Sequence, residues 1–478
     1  MFQPEIDQSY DDNIAQHKTI IVNGAGNGQG GHYEPEAIAT AYNTIGVNAF
    51  DINYTGPSLH SCAGPAYDGR SKPDITAPAL STSFSGPLVA GAAALLVQAA
   101  GTSSDAGDVR TVKALLLNGA IKPLYTPDPN NIWSHKASAP LDKRYGAGVL
   151  NVFNSYKQFA GGRHAFTISS TSSTVIPSTG GNVSVRSGWD FQSAITSSGS
   201  DRVNHYFFDL TGAVDGPFTL TSTLVWNRKN GQSAINNLDL YLYTADGTLI
   251  ASSNSTIDNV EHLFAQALPP GRYDLQVFKH ANDPVSDDET YALAFDFAPR
   301  QLIGAVSRKM HGPAGSFDVP LSFTGAPGIE CRSGGTDNKH QVVFSFAESV
   351  TSFNKAEVTV GTGSVESTSG VGTNSITVNL TGVEDAQTII VALLGVNDGT
   401  RMSDVGVKMG VLLGDVGADV GGGVGADGVV NSADVLQTKD NAGQSTDGSN
   451  FRTDVDADGD VDSDDLAIVR DSSGHFIP

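Results

Sequence analysis

Lys72-Pro-Asp-Ile-Thr-Ala-Pro78 leads, two residues later, into Ser81-Thr-Ser83-Phe-Ser-Gly-Pro87 and on into Leu88-Val-Ala-Gly-Ala-Ala-Ala-Leu-Leu-Val97. The apolar, Ala-rich stretch from 84 to 100 is long enough for a helix. A Ser at the head of such a helix has a chemical logic. The helix N-terminus offers unsatisfied N–H groups and the positive end of the dipole. Both favour an oxyanion formed when Ser83 Oγ attacks a carbonyl. Taken alone, Ser83 reads as a plain N-cap. Asn27, upstream in Val22-Asn-Gly-Ala-Gly-Asn27-Gly, reads alone as a turn residue among glycines. Together, in this order and joined by the 72–78 run, they favour a catalytic reading.

Outward from this stretch, Lys18–Val22 reads as a short apolar strand ended by the Gly-rich run 24–31, and Tyr42–Phe50 as a second strand. Thr111–Ile121 reads as a helix with apolar residues at 112, 115, 116 and 117. Strands and helices in alternation predict a largely parallel sheet covered on both sides. Beyond residue 160 the texture changes to period-2 runs such as Tyr206–Leu210, Leu238–Leu242 and Arg272–Phe278, separated by turns such as Asp246-Gly247 and Pro269-Pro-Gly271. A second set follows at 342–346, 357–360, 376–380 and 388–392. The two sets predict two β-sandwiches, because together they exceed one ordinary sandwich of about 100 residues.

The 72–97 stretch resembles the nucleophile region of subtilisin-like serine peptidases (subtilases), and Val22-Asn-Gly-Ala-Gly-Asn27-Gly is similar to that family's strand-to-loop ending in Ala-Gly-Asn. Tyr145-Gly-Ala-Gly-Val-Leu-Asn151 resembles the Gly-x-Gly element that closes the catalytic domain. The resemblance implies Ser83 as nucleophile, Asn27 as side-chain oxyanion donor and a protein or peptide substrate. The family's Asp-small-Gly and His-Gly-Thr signatures do not occur in 1–26, and none of His17, His32 and His60 precedes Gly-Thr. The expectation is therefore an N-terminally truncated subtilase, its signal peptide lost with the missing part. As written, the chain should have little or no peptidase activity, since triad chemistry needs a general base and a carboxylate to orient it. The 165–298 segment looks like a jelly-roll or pre-peptidase-C-like domain, with Asn237 and Asp239 read as outward-facing strand positions. The 300–412 segment looks like an immunoglobulin-like spacer.

Residues 413–478 hold 14 Asp and no Glu against three basic residues, a local net charge of 3 − 14 = −11 out of −23 for the chain. Asp454-Val-Asp-Ala-Asp-Gly-Asp-Val-Asp-Ser-Asp-Asp465 fits the twelve-residue calcium loop. Asp454, Asp456, Asp458 and Asp465 stand at ligand positions, Gly459 at the sharp turn, Asp460 offers its carbonyl and Asp462 acts through water. A weaker relative places Asp427, Asn431 and Asp434 at ligand positions. There the two leading positions fall on Gly423 and Gly425, an insertion spans 417–425, and Asp415 or Asp419 is available to fold back. Two such loops, each followed by a helix, resemble a dockerin, which implies Ca2+-dependent folding and docking onto a cohesin-like partner.

The chain has 478 residues, 39% hydrophobic and 17% charged, with plentiful Gly and Ser. The net charge of −23 argues against nucleic acid and against a polybasic membrane anchor. With no run of eighteen apolar residues, a membrane span is excluded. Cys62 and Cys331, the only two cysteines, read as unpaired. The expected architecture is multidomain: an α/β subtilisin-like parallel-sheet remnant, two all-β sandwiches, and a small α dockerin-like EF-hand pair. The segments are 1–157, a partial subtilase catalytic domain; 165–298 and 300–412, the sandwiches; and 413–478, the dockerin-like module. The expected function is serine-type endopeptidase of a secreted, multidomain subtilase, extracellular or at the cell surface. The alternative is a non-catalytic surface or scaffold-binding protein in a polysaccharide-degradation setting.

Overall fold

A computed structural model describes residues 3–28, 34–53, 56–126, 128–171, 181–211, 213, 216–281, 285–322, 326–417 and 426–478. Gly423, Gly425 and Asp419, like His32, lie outside the described residues. The chain is multidomain: a parallel α/β sheet comes first, then several antiparallel sheets, then C-terminal helices. It divides into two compact units, Met1–Leu124 with Asn131–Arg300, and Tyr125–Asn130 with Gln301–Pro478.

The first unit opens with helix α1 (Pro4–His17), where the sequence shows only a polar lead-in. It buries Ile14 and two acidic residues, Asp7 and Asp11. Asp7 accepts from Ile38 N at 2.9 Å and Thr40 Oγ1 at 2.6 Å; Asp11 accepts from Asn43 N at 2.7 Å and pairs with Arg228 at 2.9 Å. Strands β1 (Val22–Gly24), β2 (Ile45–Phe50) and β3 (Ile75–Pro78) form a parallel sheet in that order. The strand expected at Lys18–Val22 begins at its last residue instead, because Lys18 caps α1 at φ 55° and Val22 is the first to pair, with Ile45. Helix α2 (Thr82–Ala100) packs Val89, Ala92, Ala93 and Leu96 into the core with Ile45, Val47, Ile75 and Ala77. Ser, Thr, Gly and Gln interrupt its apolar run. By length and composition α2 is nevertheless long and apolar enough to cross a membrane, which corrects the exclusion drawn from uninterrupted run length. Its core packing is also what a buried helix of a globular domain shows.

Helices α3 (Val109–Asn118) and α4 (Val152–Gly161) carry the same core onto the first antiparallel pair of sheets. The strands are β4 (Ile168–Ser170), β5 (Ser187–Thr196), β6 (Val203–Asp209), β7 (Phe218–Trp226), β8 (Leu238–Thr244), β9 (Leu249–Ser253), β10 (Val260–Leu268), β11 (Arg272–Lys279) and β12 (Asp288–Pro299). They are ordered β10-β7-β12-β5 and β4-β6-β11-β8-β9. Tyr206, Phe208, Leu240, Leu275, Val277 and Phe295 share one core, as alternation along a strand requires. Trp189 and Val225 join the α/β core instead, and the Asn118 side chain donates to Thr221 O at 3.2 Å.

In the second unit, β13 (Leu302–His311), β14 (Gly315–Pro320), β15 (Gly328–Glu330), β16 (His340–Phe346), β17 (Lys355–Val360), β18 (Ser364–Ser369), β19 (Ser375–Thr381), β20 (Gln387–Asn397) and β21 (Met402–Val411) form sheets β14-β13-β16-β19-β18 and β15-β21-β20-β17. Helices α5 (Ser432–Asn441) and α6 (Ser463–Asp471) follow, with a small pairing of β22 (Gln444–Ser445) and β23 (Asp460–Val461). Ile329, Cys331, Leu412, Val416, Val430, Val455 and Val469 make a common core for this end. Cys62 and Cys331 are both free and buried.

Among the described residues no ion pair joins the buried Lys122 to a carboxylate. Lys122 is 5% exposed; its ammonium donates to Ala120 O at 3.1 Å and lies 5.4 Å from the Trp133 ring centre and 5.8 Å from that of Phe264. Burial pushes it down to about 7. Unfolded, a lysine titrates near about 10.4. The folded state therefore binds fewer protons across the interval, so stability rises with pH from about 7 to about 10, and the burial cost is fully present below that window. Lys122→Met should raise the thermal midpoint, and the gain should be larger at pH 6 than at pH 10. Equal gains at both pH values in thermal denaturation would refute the assignment.

Candidate functional site

The two residues proposed for peptide chemistry meet at the head of α2. Asn27 lies in the loop after β1, and its Oδ1 accepts from Thr82 N at 3.0 Å and Thr82 Oγ1 at 2.8 Å. Ser81 is the N-cap residue, yet its side chain makes no cap hydrogen bond. Asn27 takes over that work from a distant loop. A backbone N–H must donate, so the amide oxygen faces the helix and Nδ2 is the end left to donate to a substrate. Ser83, next to Thr82 in the first turn, is exposed rather than acting as a cap. The first turn of α2 carries no acidic residue, so its dipole is not neutralised there. The close approach depends on Gly24: a Cβ there would lie 3.0 Å from the Thr82 Cβ and carbonyl oxygen.

The loop of the Gly-x-Gly element lies against β3. Ala147 N donates to Asp74 O at 2.9 Å, and Leu150 N to Thr76 O at 2.7 Å. Gly146 has φ 60°, and a Cβ on it would fall 2.3 Å from the Asp74 carbonyl. Asp74 itself is buried between Lys72 Nζ at 2.7 Å and Lys113 Nζ at 2.8 Å. Among the described residues no hydrogen bond joins an imidazole to Ser83. His60 is exposed, and its backbone bridges Ser81. The arrangement has an oxyanion-stabilising environment and a hydroxyl, while the described residues supply no base to it.

In the second unit the acidic residues converge. Carboxylate oxygens of Asp454, Asp456 and Asp458 lie within 4.8 Å of one another. Asp454 is buried; its Oδ1 accepts from Asp458 N at 3.1 Å and its Oδ2 from Gly459 N at 3.0 Å, Thr446 Oγ1 at 2.5 Å and the His311 ring at 2.8 Å. Asp465 Oδ1 accepts from Val455 N at 2.6 Å and Asp456 N at 3.2 Å, and its Oδ2 from Asp462 N at 2.9 Å. Asp460 is exposed and pairs through its backbone with Ser445. Gly459, at φ 109°, sits where a Cβ would lie 2.9 Å from Pro313 Cδ.

The first loop repeats this wiring. Asp434 Oδ1 accepts from Gly417 N at 3.2 Å and Oδ2 from Asn431 N at 2.8 Å. Asp415 Oδ2 accepts from Gly428 N at 2.8 Å, as Asp454 does from Gly459. Asn431 and Asp462 each cap the following helix in a capping box with the Asp three residues on. Asp427 turns onto Val429 N at 2.9 Å. Among the described residues Asp415 stands where a leading acid would, which a count back from Asp427 misses. Burial first, then Asp434 and Asp427, push the Asp415 carboxyl up to about 6, and its Oδ1 is buried without a partner. Burial likewise pushes Asp465 up to about 6, with Asp456 adding to the rise. Crowded, partly desolvated carboxylates with an orphaned buried oxygen fit a hard cation. Asp239, read as facing outward, is instead 2% exposed and accepts from Tyr241 Oη at 2.6 Å and pairs with His280 at 2.7 Å.

Residues 2–148 match the family model described as Subtilase family. No curated protein matches the chain. Among solved structures it is similar to tripeptidyl peptidase 2, at 11% identity over 84% of this chain and 46% of that one, TM-score 0.24. It is also similar to a GH2 β-galacturonidase from Eisenbergiella tayi, at 9% identity over 46% of this chain and 41% of that one, TM-score 0.16. A third is Ruminococcus gnavus β-glucuronidase, at 9% identity over 52% of this chain and 42% of that one, TM-score 0.18. The chain spans less than half the length of each of these. Residues 2–148 thus match the Subtilase family, and β-rich sheets follow in the chain.

Proposed function

We propose that this chain carries the nucleophile-bearing part of a secreted subtilisin-like serine endopeptidase, with Ser83 as nucleophile and Asn27 as oxyanion donor. The observation that carries the reading is the double hydrogen bond from Thr82 to Asn27 Oδ1, which holds the amide beside Ser83 at an unneutralised helix N-terminus. In the reaction Ser83 Oγ attacks a peptide carbonyl. The developing oxyanion is stabilised by Asn27 Nδ2 and the Ser83 N–H in the first turn of α2. The reaction also needs a general base, which in this class of chemistry is an imidazole oriented by a carboxylate. A peptide is the substrate this chemistry takes, and the place of action is extracellular or at the cell surface.

The acidic module is read as dockerin-like, with Ca2+ as its cofactor and a cohesin-like protein as its partner. Asp454, Asp456, Asp458 and Asp465 would hold one ion, with Asp460 contributing its carbonyl. Asp415, Asp427, Asn431 and Asp434 would hold another. Bound calcium supplies positive charge that offsets the mutual repulsion of these carboxylates. A second reading, a non-catalytic surface or scaffold-binding protein, draws on the same module and on the lack of an imidazole bonded to Ser83 among the described residues.

In a form extended upstream to include the Asp and His-Gly-Thr elements, a fluorophosphonate probe should label Ser83, and Ser83→Ala should abolish that label. A label that never maps to Ser83 in the extended form refutes the assignment. Asn27→Ala in that form should lower kcat by about 10²–10³ with little change in KM, because the bond forms mainly in the transition state. A change confined to KM would make Asn27 a binding residue.

For the module, titration calorimetry of the full chain should show two Ca2+ sites. Asp454→Ala combined with Asp458→Ala should remove one of them, and Asp415→Asn should weaken the other. Heat curves unchanged by Asp415→Asn would remove Asp415 from the site.

A further inference from the structure

A hydroxyl, an imidazole and a carboxylate are joined end to end on the first sandwich, far from α2 in sequence. Ser170 Oγ lies 2.7 Å from His205 Nε2, and His205 Nδ1 lies 2.8 Å from Asp274 Oδ2. The strand registers bring them together. Ile168 of β4 pairs with His205 of β6, and Ser170 with Val203; His205 pairs with Gln276 of β11, and Phe207 with Asp274. Side chains two apart share a face, so Ser170, His205 and Asp274 are diagonal neighbours on one face of the sheet. The neighbours Tyr206, Leu275 and Val277 belong to the sandwich core, so the three lie on the opposite face.

The hydrogen-bond partners permit a relay in one direction. Asp274 Oδ2 also accepts from Gln276 Nε2 at 2.7 Å. In the tautomer whose Nδ1 donates to Asp274, the lone pair on Nε2 accepts the Ser170 O–H. That is the polarity a general base needs, at distances within hydrogen-bond reach. His205 and Asp274 are buried while Ser170 is half-buried, so the base and its orienting group are shielded and the hydroxyl lies nearest to solvent. The Phe207 ring stacks on His205 at 5.6 Å and 23°. A polar network kept only for stability would satisfy its buried atoms. Here Asp274 Oδ1 and Gln276 Oε1 are buried and, among the described residues, without hydrogen-bond partners.

We propose that Ser170, His205 and Asp274 form a second nucleophilic centre, one that takes esters with a small acyl group. Ser170 Oγ bonds to the ester carbonyl carbon as His205 Nε2 takes its proton. The tetrahedral adduct collapses, the bond to the alcohol oxygen breaks, and that oxygen leaves with the proton from His205. Water, giving a proton to His205, attacks the acyl group on Ser170, and the carboxylic acid departs as the proton returns to Ser170 Oγ. A small acyl group fits because a half-buried serine at a strand end admits little bulk.

The test uses the full chain as it stands, treated with a fluorophosphonate probe, digested and mapped, with p-nitrophenyl acetate hydrolysis measured in parallel. The label should sit on Ser170, where the Oγ–P bond forms and fluoride leaves with the proton. Ser170→Ala should remove the label and lower ester hydrolysis by about 10²–10⁴-fold. His205→Gln should do the same. Failure to label the unmutated chain, or a label mapped to any other residue, overturns the proposal, and neither readout depends on a variant folding. Label on Ser83 in the extended form is a separate outcome, so the two serines stand or fall independently.

Discussion

Asp74 is a carboxylate with almost no water around it, and the α/β layer is organised by what surrounds it. Its Oδ2 accepts from Gly46 N at 2.7 Å, on the central strand, and from Lys72 Nζ at 2.7 Å. Its Oδ1 meets Lys113 Nζ of α3 at 2.8 Å. Burial alone would raise the carboxyl; the two ammonium groups outweigh it and hold Asp74 below its ordinary range. Burial in turn lowers Lys113 to about 8. The lysines carry the network onward, Lys72 to Ala41 O at 2.8 Å and Lys113 to Thr44 O at 2.8 Å. Removing the carboxylate would leave two buried cations uncompensated, a loss of about 3–5 kcal/mol for a broken buried pair. Because β3 begins immediately after Asp74 and leads through a short turn into α2, the same carboxylate fixes where the head of that helix points.

The strands were the most legible part of the chain, since period-2 alternation follows directly from half-buried sheets. Helix α1 was not legible, because two of the three residues it buries are Asp7 and Asp11, which accept from backbone N–H groups, and only Ile14 buries apolar surface. The pairing of Asn27 with the head of α2 was legible as an order of motifs, while the atom that joins them, Thr82, was not singled out. Ser170, His205 and Asp274 were invisible to any local reading. They are separated by 35 and 69 positions and meet only through the registers of three strands.

The C-terminal loops show how an insertion hides a repeat. Counting fixed spacings back from Asp427 lands on Gly423, so the first loop reads as deficient. Hydrogen bonds locate the partner by role: Asp415 receives Gly428 N as Asp454 receives Gly459 N. The loops also join the preceding sandwich. His311 at the end of β13 spans Asp454 at 2.8 Å and Arg332 at 3.0 Å, and the Phe317 and Phe451 rings stack at 5.3 Å. A Cβ on Gly312 would lie 1.9 Å from Asp458 O. The loop is therefore packed against the sandwich, and whatever neutralises its charge acts on that contact as well.

The two serines divide between them what one nucleophilic site usually combines. Ser83 stands in the first turn of a helix without a neighbouring acid, next to the Thr82 that holds the Asn27 amide, an arrangement suited to an oxyanion. Ser170 stands where a hydroxyl is activated: one hydrogen bond from an imidazole whose other nitrogen is held by a buried carboxylate. A helix terminus stabilises charge after attack but removes no proton. An imidazole–carboxylate pair removes the proton but leaves the developing charge to whatever donors the surroundings offer. The sheet is the natural place for the second arrangement, since diagonal side chains on neighbouring strands are fixed by backbone pairing and need no loop to position them. The helix head is the natural place for the first, since the first turn of a helix has N–H groups with no carbonyl one turn back.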